Sequence, residues 1–201
     1  MSGPRHGDVD APRNVDVNGR RWAVRVAGSG PALLLLHGFT GSGRSWDAGL
    51  TAAAIRAGFT TIAPDLPGHG GTAWSAGDPA DPADSSRATI ERSADDLPSL
   101  LRALGHGRAH VVGYSMGARV ALRLAIAHPA CVARLVLESP SAGIVDSAGR
   151  AARRAADDAL AESLVATGVS VLELRTERAR NVELHREAAA AVAAALAELD
   201  A

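Results

Sequence analysis

The sequence is poor in several residue types on which particular functions depend. Among 201 residues there is one cysteine, Cys131, which excludes an intrachain disulfide and a cysteine-based metal cluster. Aromatic residues make up 3% of the chain and the formal net charge is −1, so neither a base-stacking platform nor a basic surface is available for nucleic acids. Lysine is absent, and all 21 basic residues are arginine. We therefore expect no nucleic-acid partner and no metal site.

Long apolar segments are missing as well. Residues 1–13 contain no hydrophobic stretch of the kind that a secretory signal peptide needs, and they resemble a disordered leader. No apolar run elsewhere approaches the roughly 20 residues that span a membrane. We therefore expect a cytoplasmic protein without membrane insertion.

What the sequence does contain is an alternation of apolar runs and helical patterns. The run at 31–38 ends in turn residues, which predicts a strand buried on both faces. Strands that alternate with helices indicate βαβ units, so the predicted fold class is α/β with a mostly parallel sheet. The predicted strands are 20–28, 31–38, 59–65, 109–115 and 132–139, the predicted helices are 45–58, 89–105, 116–129 and 147–168, and 66–86 is a predicted loop.

A serine between two glycines follows one of these strands. Gly113-Tyr114-Ser115-Met116-Gly117 matches G-x-S-x-G where a predicted strand passes into a predicted helix. Such a turn is so sharp that its flanking positions must be small, and it raises the serine hydroxyl above the sheet. The amide of Met116, at the start of the helix, can stabilise an oxyanion there. We therefore predict a nucleophile elbow with Ser115 as the catalytic serine.

The loop after the strand at 31–38 offers a second oxyanion donor. It carries His37 and Gly38, and the backbone N–H of Phe39 can point at the same oxyanion as that of Met116. The alternative is a glycine-rich turn in which His37 only packs against its neighbours. An elbow in the same chain favours an oxyanion hole built from Phe39 and Met116.

Three motifs, in this order and spacing, resemble those of the α/β-hydrolase superfamily. They are His37-Gly38-Phe39, the DLPGHG run at 65–70 and the G-x-S-x-G run at 113–117. The resemblance covers roughly residues 20 to 140 and implies a sheet of the α/β-hydrolase type with flanking helices. Asp65 and His69 precede the usual acid and base in chain order, so they are expected to shape loops.

A narrower resemblance is to the 2-succinyl-6-hydroxy-2,4-cyclohexadiene-1-carboxylate synthases. It is carried by "LLHGFTGSGRSW", "DLPGHG", "GYSMGAR" and "LVLESPSAGI", followed by "RAARRAADDALA". Members of that family act in menaquinone (vitamin K2) biosynthesis, where they eliminate pyruvate from a carboxylate-rich precursor. The resemblance implies a lyase that needs no cofactor, with a small polycarboxylate as its substrate. It also aligns Arg153 with a carboxylate-binding arginine of the family.

Arginines suit such a substrate, because the planar guanidinium can bind a carboxylate through two hydrogen bonds. Arg119, one turn into the helix after the elbow, and Arg153, with Arg154 beside it, are the candidates. The alternative is that they only cover the polar faces of helices. Tyr114 and His37 are predicted as further substrate contacts, with simple packing beside the turn as the alternative for Tyr114.

The acid and base of a catalytic triad are less evident. In this fold the triad residues occur along the chain in the order serine, acid, histidine. Ser115, Glu138 and His185 would preserve that order. Against them, a glutamate at a strand end is commonly structural, and His185 falls in a predicted helix. The chain therefore resembles a family member that lacks part of the C-terminal acid and base region.

The predicted organisation is a leader (1–13), an α/β-hydrolase core (14–138), a helical cap remnant (139–180) and a C-terminal helix (181–201). Two other functions stay open: a general serine esterase or C–C hydrolase of the same fold, and an inactive family member or binding module. Turnover of neutral esters that does not need the arginines would favour the first. Carboxylate binding without turnover would favour the second. The oligomeric state does not follow from the sequence.

Overall fold

The computed structural model describes residues 11–47, 49–73, 89–140 and 144–167. Within these ranges the chain forms a six-stranded sheet flanked by helices. The strands are β1 (Arg13–Val17), β2 (Arg20–Gly28), β3 (Ala32–Leu36), β4 (Thr60–Pro64), β5 (Ala109–Tyr114) and β6 (Val132–Glu138). The helices are α1 (Leu50–Arg56), α2 (Ile90–Ala103), α3 (Met116–Ala127) and α4 (Ser147–Thr167), with short 3₁₀ helices at Gly43–Trp46 and Pro129–Cys131.

The strands follow the order β1-β2-β4-β3-β5-β6 across the sheet. The pairs β4–β3, β3–β5 and β5–β6 are parallel, whereas β1–β2 and β2–β4 are antiparallel. The carboxyl ends of four parallel strands therefore meet at one edge of the sheet, where α/β proteins bind their ligands. This arrangement confirms the predicted α/β class with a mostly parallel sheet.

Two apolar layers cover the sheet, one on each face. All five residues of β3 are buried, and alternate side chains of a strand point to opposite faces. Leu34 and Leu36 pack with residues of α2 and α3, while Leu33 and Leu35 pack with α1 and Trp46. A strand buried on both faces needs apolar residues at every position, which is why a continuous apolar run predicted it.

The strands and helices predicted within the described ranges are present, with ends that differ by a few residues. The exception is α1, which begins at Leu50 after a separate 3₁₀ helix. β1 was not predicted: it pairs with β2 through a turn at Asn18 and Gly19, whose φ angles are +51° and +75°. The Asn-Gly pair was the available signal, because it favours the two-residue hairpin turn with positive φ at both positions.

Within the described ranges, β6 and the chain after it contribute little to the buried core. β6 pairs with β5, and its residues are at best half-buried. α4 lies inside the segment predicted as a cap, and most of its described residues are exposed. The predicted C-terminal helix, 181–201, lies outside the described residues. Among the helices that are described, none has the length and apolar character needed to cross a bilayer.

Asp96 on α2 ties the β1–β2 hairpin to that helix. Its carboxylate accepts a hydrogen bond of 2.8 Å from Asn18 and lies 3.5 Å from a guanidinium nitrogen of Arg20, which is 4% exposed. Because the substitution removes one ion-pair contact of the buried Arg20 and the hydrogen bond from Asn18, we expect Asp96→Ala to lower the free energy of unfolding by about 2 kcal/mol. Urea denaturation followed by circular dichroism measures this change.

Asp16→Ala is the matched control for Asp96→Ala. Asp16 pairs with Arg21 at 3.1 Å, but their side chains are 71% and 69% exposed. Exposed pairs contribute little, so we expect a change below about 0.5 kcal/mol. Equal losses in the two variants would contradict the stabilising role assigned to Asp96.

Candidate active site

Ser115 is the single residue between β5 and α3, and its backbone is strained. Its φ is +51° and its ψ is −108°, a conformation that residues other than glycine rarely adopt. A Cβ on Gly113 would lie 2.5 Å from the carbonyl oxygen of Gly117, and one on Gly117 would lie 2.0 Å from that of Leu36. Only glycine fits at either position, which explains the G-x-S-x-G spacing.

The main chain of Ser115 is held from both sides. Its N–H donates to the carbonyl oxygen of Glu138 at 2.9 Å, and its carbonyl accepts from the N–H of Arg119 at 3.2 Å. A serine at the N-cap of a helix usually accepts a hydrogen bond from a helix amide, but the Ser115 side chain makes no such bond to α3. The hydroxyl of Ser115, at the carboxyl edge of the sheet, is therefore not used to cap the helix.

The loop after β3 lies directly against the elbow. A Cβ on Gly38 would be 3.6 Å from Ser115 Cβ and 2.8 Å from Tyr114 Cδ1. The carbonyl of Gly38 accepts from the N–H of Gly41 at 2.8 Å, which closes a tight turn. Because the C=O and N–H of a trans peptide point in opposite directions, this bond directs the N–H of Phe39 away from the interior of the turn.

His37 is fully buried and joins this loop to the one after β4. Its Nε2 accepts a hydrogen bond of 2.9 Å from the N–H of Leu66, and its Nδ1 lies 2.8 Å from the carbonyl oxygen of Gly38. Since Nε2 accepts, the proton of the neutral ring is on Nδ1 and is donated to Gly38. Both nitrogens bind main-chain groups, so the substrate contact predicted for His37 would require the ring to leave them.

Asp65, at the carboxyl end of β4, holds two further loop segments. Its Oδ1 accepts from the N–H of Gly43 at 2.7 Å and its Oδ2 from the N–H of Gly71 at 2.8 Å. The residue is buried, and its two acceptor oxygens satisfy amides that would otherwise lack a partner in secondary structure. This is the loop-shaping role expected from the position of Asp65 in the chain.

A second carboxylate, Asp47, lies close enough to Asp65 for the two charges to repel. Burial raises the pKa of Asp47, and the positive charges of Arg25, 3.6 Å away, and Arg44 offset part of the rise. With a raised pKa, the folded state binds this proton more readily than the unfolded state. The stabilisation from protonated Asp47 is therefore present at low pH and lost as the pH rises through the folded pKa.

Glu138, the predicted acid, ends β6 beside the elbow. The register of β5 and β6 pairs it with Tyr114, and its carbonyl oxygen binds the N–H of Ser115. The side chain of Glu138 is half-buried. His185, the predicted base, lies outside the described residues. The structure thus brings Glu138 and Ser115 together, and the role of His185 stays a prediction.

Three histidines of the described chain lie away from the elbow. His106 and His110 line a cavity of about 330 Å³ where the parallel strands begin, at the opposite edge of the sheet from Ser115. His128, at the C-terminal end of α3, is 2.8 Å from a carboxylate oxygen of Asp95. We assign none of these three as the general base. In the ranges that the structure describes, no cluster of three or more His, Cys, Asp or Glu side chains could hold a metal ion.

The predicted substrate-binding residues occupy two regions. Arg119 is exposed in the first turn of α3, and Tyr114 is half-buried beside Gly38. Both are neighbours of Ser115. Arg153 and Arg154 are exposed on α4, a separate element.

Two features of the site were not predicted. Ser139, directly after Glu138, has a φ of +49°, close to that of Ser115. Gly43 packs so closely on β4 that a Cβ would lie 2.4 Å from the carbonyl oxygen of Ala63. The glycine is visible in the sequence, but a serine carries no signal for a left-handed backbone.

The comparison with known families agrees with this geometry. Residues 31–166 match the family model described as the alpha/beta hydrolase fold. The chain belongs to this family. The matched residues include the loop after β3, the DLPGHG run at 65–70 and the elbow at Ser115, which are the three motifs that carried the resemblance.

Relatives of this hydrolase-fold protein carry several different names. A candidate 2-succinyl-6-hydroxy-2,4-cyclohexadiene-1-carboxylate synthase of Bacillus subtilis (strain 168) is 34% identical over 162 residues, which cover 78% of this chain and 54% of the relative. The fluoroacetate dehalogenase of Burkholderia sp is 37% identical over 125 residues, 62% of this chain and 39% of the relative. Epoxide hydrolase A from Mycobacterium thermoresistibile has a similar crystal structure, with a TM-score of 0.60 and 30% identity over 72% of this chain and 44% of that one.

The chain spans only part of the length of these relatives. It covers 33% of an uncharacterised Mycobacterium tuberculosis protein, Rv2715, with which it shares 39% identity over 125 residues. Family membership therefore rests on the core and the elbow.

Proposed function

We propose that this protein is a lyase that eliminates pyruvate from a carboxylate-rich menaquinone precursor and forms 2-succinyl-6-hydroxy-2,4-cyclohexadiene-1-carboxylate. The observation that carries the proposal is the strained elbow at Ser115, with the Gly38–Phe39 peptide packed against it and Arg119 one helical turn away. Such an elbow supplies the reaction centre, and the arginine supplies a cation for an anionic substrate.

The extent of the match to the Bacillus subtilis protein supports this choice of reaction. A match over 78% of a 201-residue chain necessarily spans its middle, including both Arg119 and Arg153. The match to the dehalogenase, over 62% of the chain, can end before Arg153. The aligned region shared with the candidate synthase therefore includes the positions of both arginines that would bind substrate carboxylates.

The elbow and the oxyanion loop suit an elimination. Removal of a proton from carbon leaves negative charge, which spreads onto an oxygen of the substrate. In the proposed mechanism Ser115 belongs to the proton-abstracting apparatus, and the amides of Phe39 and Met116 stabilise that oxygen. Met116 is the first residue of α3, so its N–H has no acceptor within the helix. The reaction is a proton transfer and an elimination, for which side chains and amides suffice without a cofactor.

Glu138 and His185 stay the candidates for the acid and the base. A serine without an imidazole keeps its oxyanion hole but loses most of its rate. Every assay therefore uses the full chain, including residues 168–201. Glu138 is placed at the elbow by its main chain, where a carboxylate could orient such a base.

Arg119→Ala is expected to raise KM for the carboxylate-rich substrate by about 10- to 100-fold, because a hydrogen bond between charged groups contributes about 1.5–3 kcal/mol. Arg119→Lys should recover only part of the affinity, since an ammonium group is a point charge without the planar fork. Pyruvate release coupled to NADH oxidation by lactate dehydrogenase gives kcat and KM.

Arg102→Ala is the matched control, because Arg102 is an exposed arginine in the last turn of α2. Its charge is remote from the elbow and screened, so KM should stay within about twofold of the wild type. Folded wild-type protein that releases no pyruvate would contradict the lyase. Hydrolysis of neutral esters with equal kinetics in wild type and Arg119→Ala would favour a hydrolase, and substrate binding without turnover would favour an inactive binding module.

A further inference from the structure

We propose that His69 is a positioning residue, which sets the direction of the oxyanion-binding amide through the carbonyl of Phe39. This inference rests on the proposed function, in which the N–H of Phe39 stabilises the developing charge. The Nε2 of His69 contacts the carbonyl oxygen of Phe39, across two loops that are separate in the chain. Its Nδ1 lies 3.0 Å from the carbonyl oxygen of Pro67, within its own turn. Both carbonyls can only accept, and a neutral imidazole carries one N–H, so only one of the two contacts can be a hydrogen bond. The positioning role requires the tautomer with the proton on Nε2, which donates to Phe39.

Phe39 lies between two peptide groups that are both anchored. The carbonyl of Gly38, in the peptide before it, binds the N–H of Gly41 and the Nδ1 of His37, each at 2.8 Å. The carbonyl of Phe39, in the peptide after it, binds His69. With both peptide planes held, the φ and ψ of Phe39 have little freedom, and the direction of its N–H is determined.

The side chain of Phe39 cannot provide this anchoring by burial. It is 66% exposed, and its ring meets that of His69 edge-on with centroids 5.7 Å apart. A residue this exposed gains little from the hydrophobic effect. The hydrogen bond from His69 is therefore the contact that holds the second peptide of Phe39.

His69 itself stands on a rigid turn. Its N–H donates to the carbonyl of Leu66 at 2.9 Å, and its carbonyl accepts from the N–H of Thr72 at 3.0 Å. The hydroxyl of Thr72 in turn accepts from the N–H of Ala23 in β2 at 2.9 Å. The imidazole is thus connected to the sheet through its own main chain, as a group that positions another must be.

Replacing His69 with glutamine or with asparagine tests the roles of its two ring nitrogens separately. The amide nitrogen of glutamine can take the place of Nε2 and donate to Phe39, whereas that of asparagine can replace only Nδ1 and stays within the turn. We expect His69→Gln to keep kcat within about threefold of the wild type, and His69→Asn to lose about 30-fold, because a misdirected oxyanion donor forfeits much of its effect. KM should be similar in both, since the bond acts on the transition state.

Hydrogen exchange of the Gly41 amide gives a second measurement that needs no turnover. This amide closes the turn around Phe39, so we expect it to exchange about 10-fold faster in His69→Asn than in His69→Gln or the wild type. If the wild type releases no pyruvate, the lyase proposal fails, and exchange alone decides the role of His69. Equal exchange in the two variants, or equal kcat in active enzyme, would overturn the positioning role.

Discussion

Replacing Ser115 with alanine is expected to lower kcat for pyruvate release by about 10⁴-fold or more, because loss of one member of a catalytic unit removes most of the rate of that unit. KM should change little, because the arginines and the oxyanion amides stay in place. The Ser115 side chain makes no capping bond to α3, so the substitution should remove the catalytic hydroxyl and leave the backbone of the elbow intact. The coupled pyruvate assay, at equal concentrations of folded protein, measures the effect.

Glycine at the same position separates activity from stability. Ser115 has a φ of +51°, and relief of such strain is worth about 1–3 kcal/mol, partly offset by the greater backbone entropy of glycine. Ser115→Gly should therefore be as stable as the wild type or slightly more stable, yet inactive. Ser139→Gly is the matched control, because Ser139 has a φ of +49° in the wild type. This variant should stay active. Activity in Ser115→Ala, or an equal loss in Ser139→Gly, would contradict the role of Ser115.

Gly117→Ala is expected to destabilise the protein by about 3 kcal/mol or more, because overpacking against main chain costs more than overpacking against a flexible side chain. The new Cβ would lie 2.0 Å from the carbonyl oxygen of Leu36 and 2.4 Å from its carbonyl carbon. Either α3 or β3 has to move. That movement would also separate the elbow from the loop at Gly38, so activity should fall with stability. Urea denaturation measures the first effect and the coupled assay the second.

Gly107→Ala provides the comparison for Gly117→Ala. A Cβ on Gly107 would meet no atom within 4 Å, and alanine has fewer conformations to lose on folding. We expect a change within about 0.5 kcal/mol. Similar stability in both variants would mean that α3 does not pack on β3 as closely as the structure indicates.

The elements around the elbow could be predicted because their signals are local. The apolar run of β3 reflects burial of each residue by the layers above and below the sheet. Glycine is required at positions 113 and 117 because any side chain there would clash with the nearest main chain. These features depend on short stretches of chain, so the sequence suffices to place them.

Other parts of the fold could not be found in this way. β1 is short, and apart from the Asn-Gly turn that follows it, its pairing with β2 depends on the partner strand as much as on its own residues. The contact between Glu138 and Ser115 arises from the register of β6 on β5, which no local pattern encodes. The left-handed backbone of Ser139 belongs to a residue type that rarely adopts it.

By itself, the sequence determined the α/β class, the serine at the elbow and the loop that faces it, because local sterics and burial act on adjacent residues. Only the tertiary structure decided what the polar groups of the loops bind. His37 accepts from Leu66, 29 residues away, Asp65 accepts from Gly43, 22 residues away, and His69 reaches Phe39 over 30 residues. A buried polar group needs some partner, and which one it finds depends on the folding of the whole sheet that brings these loops to one edge.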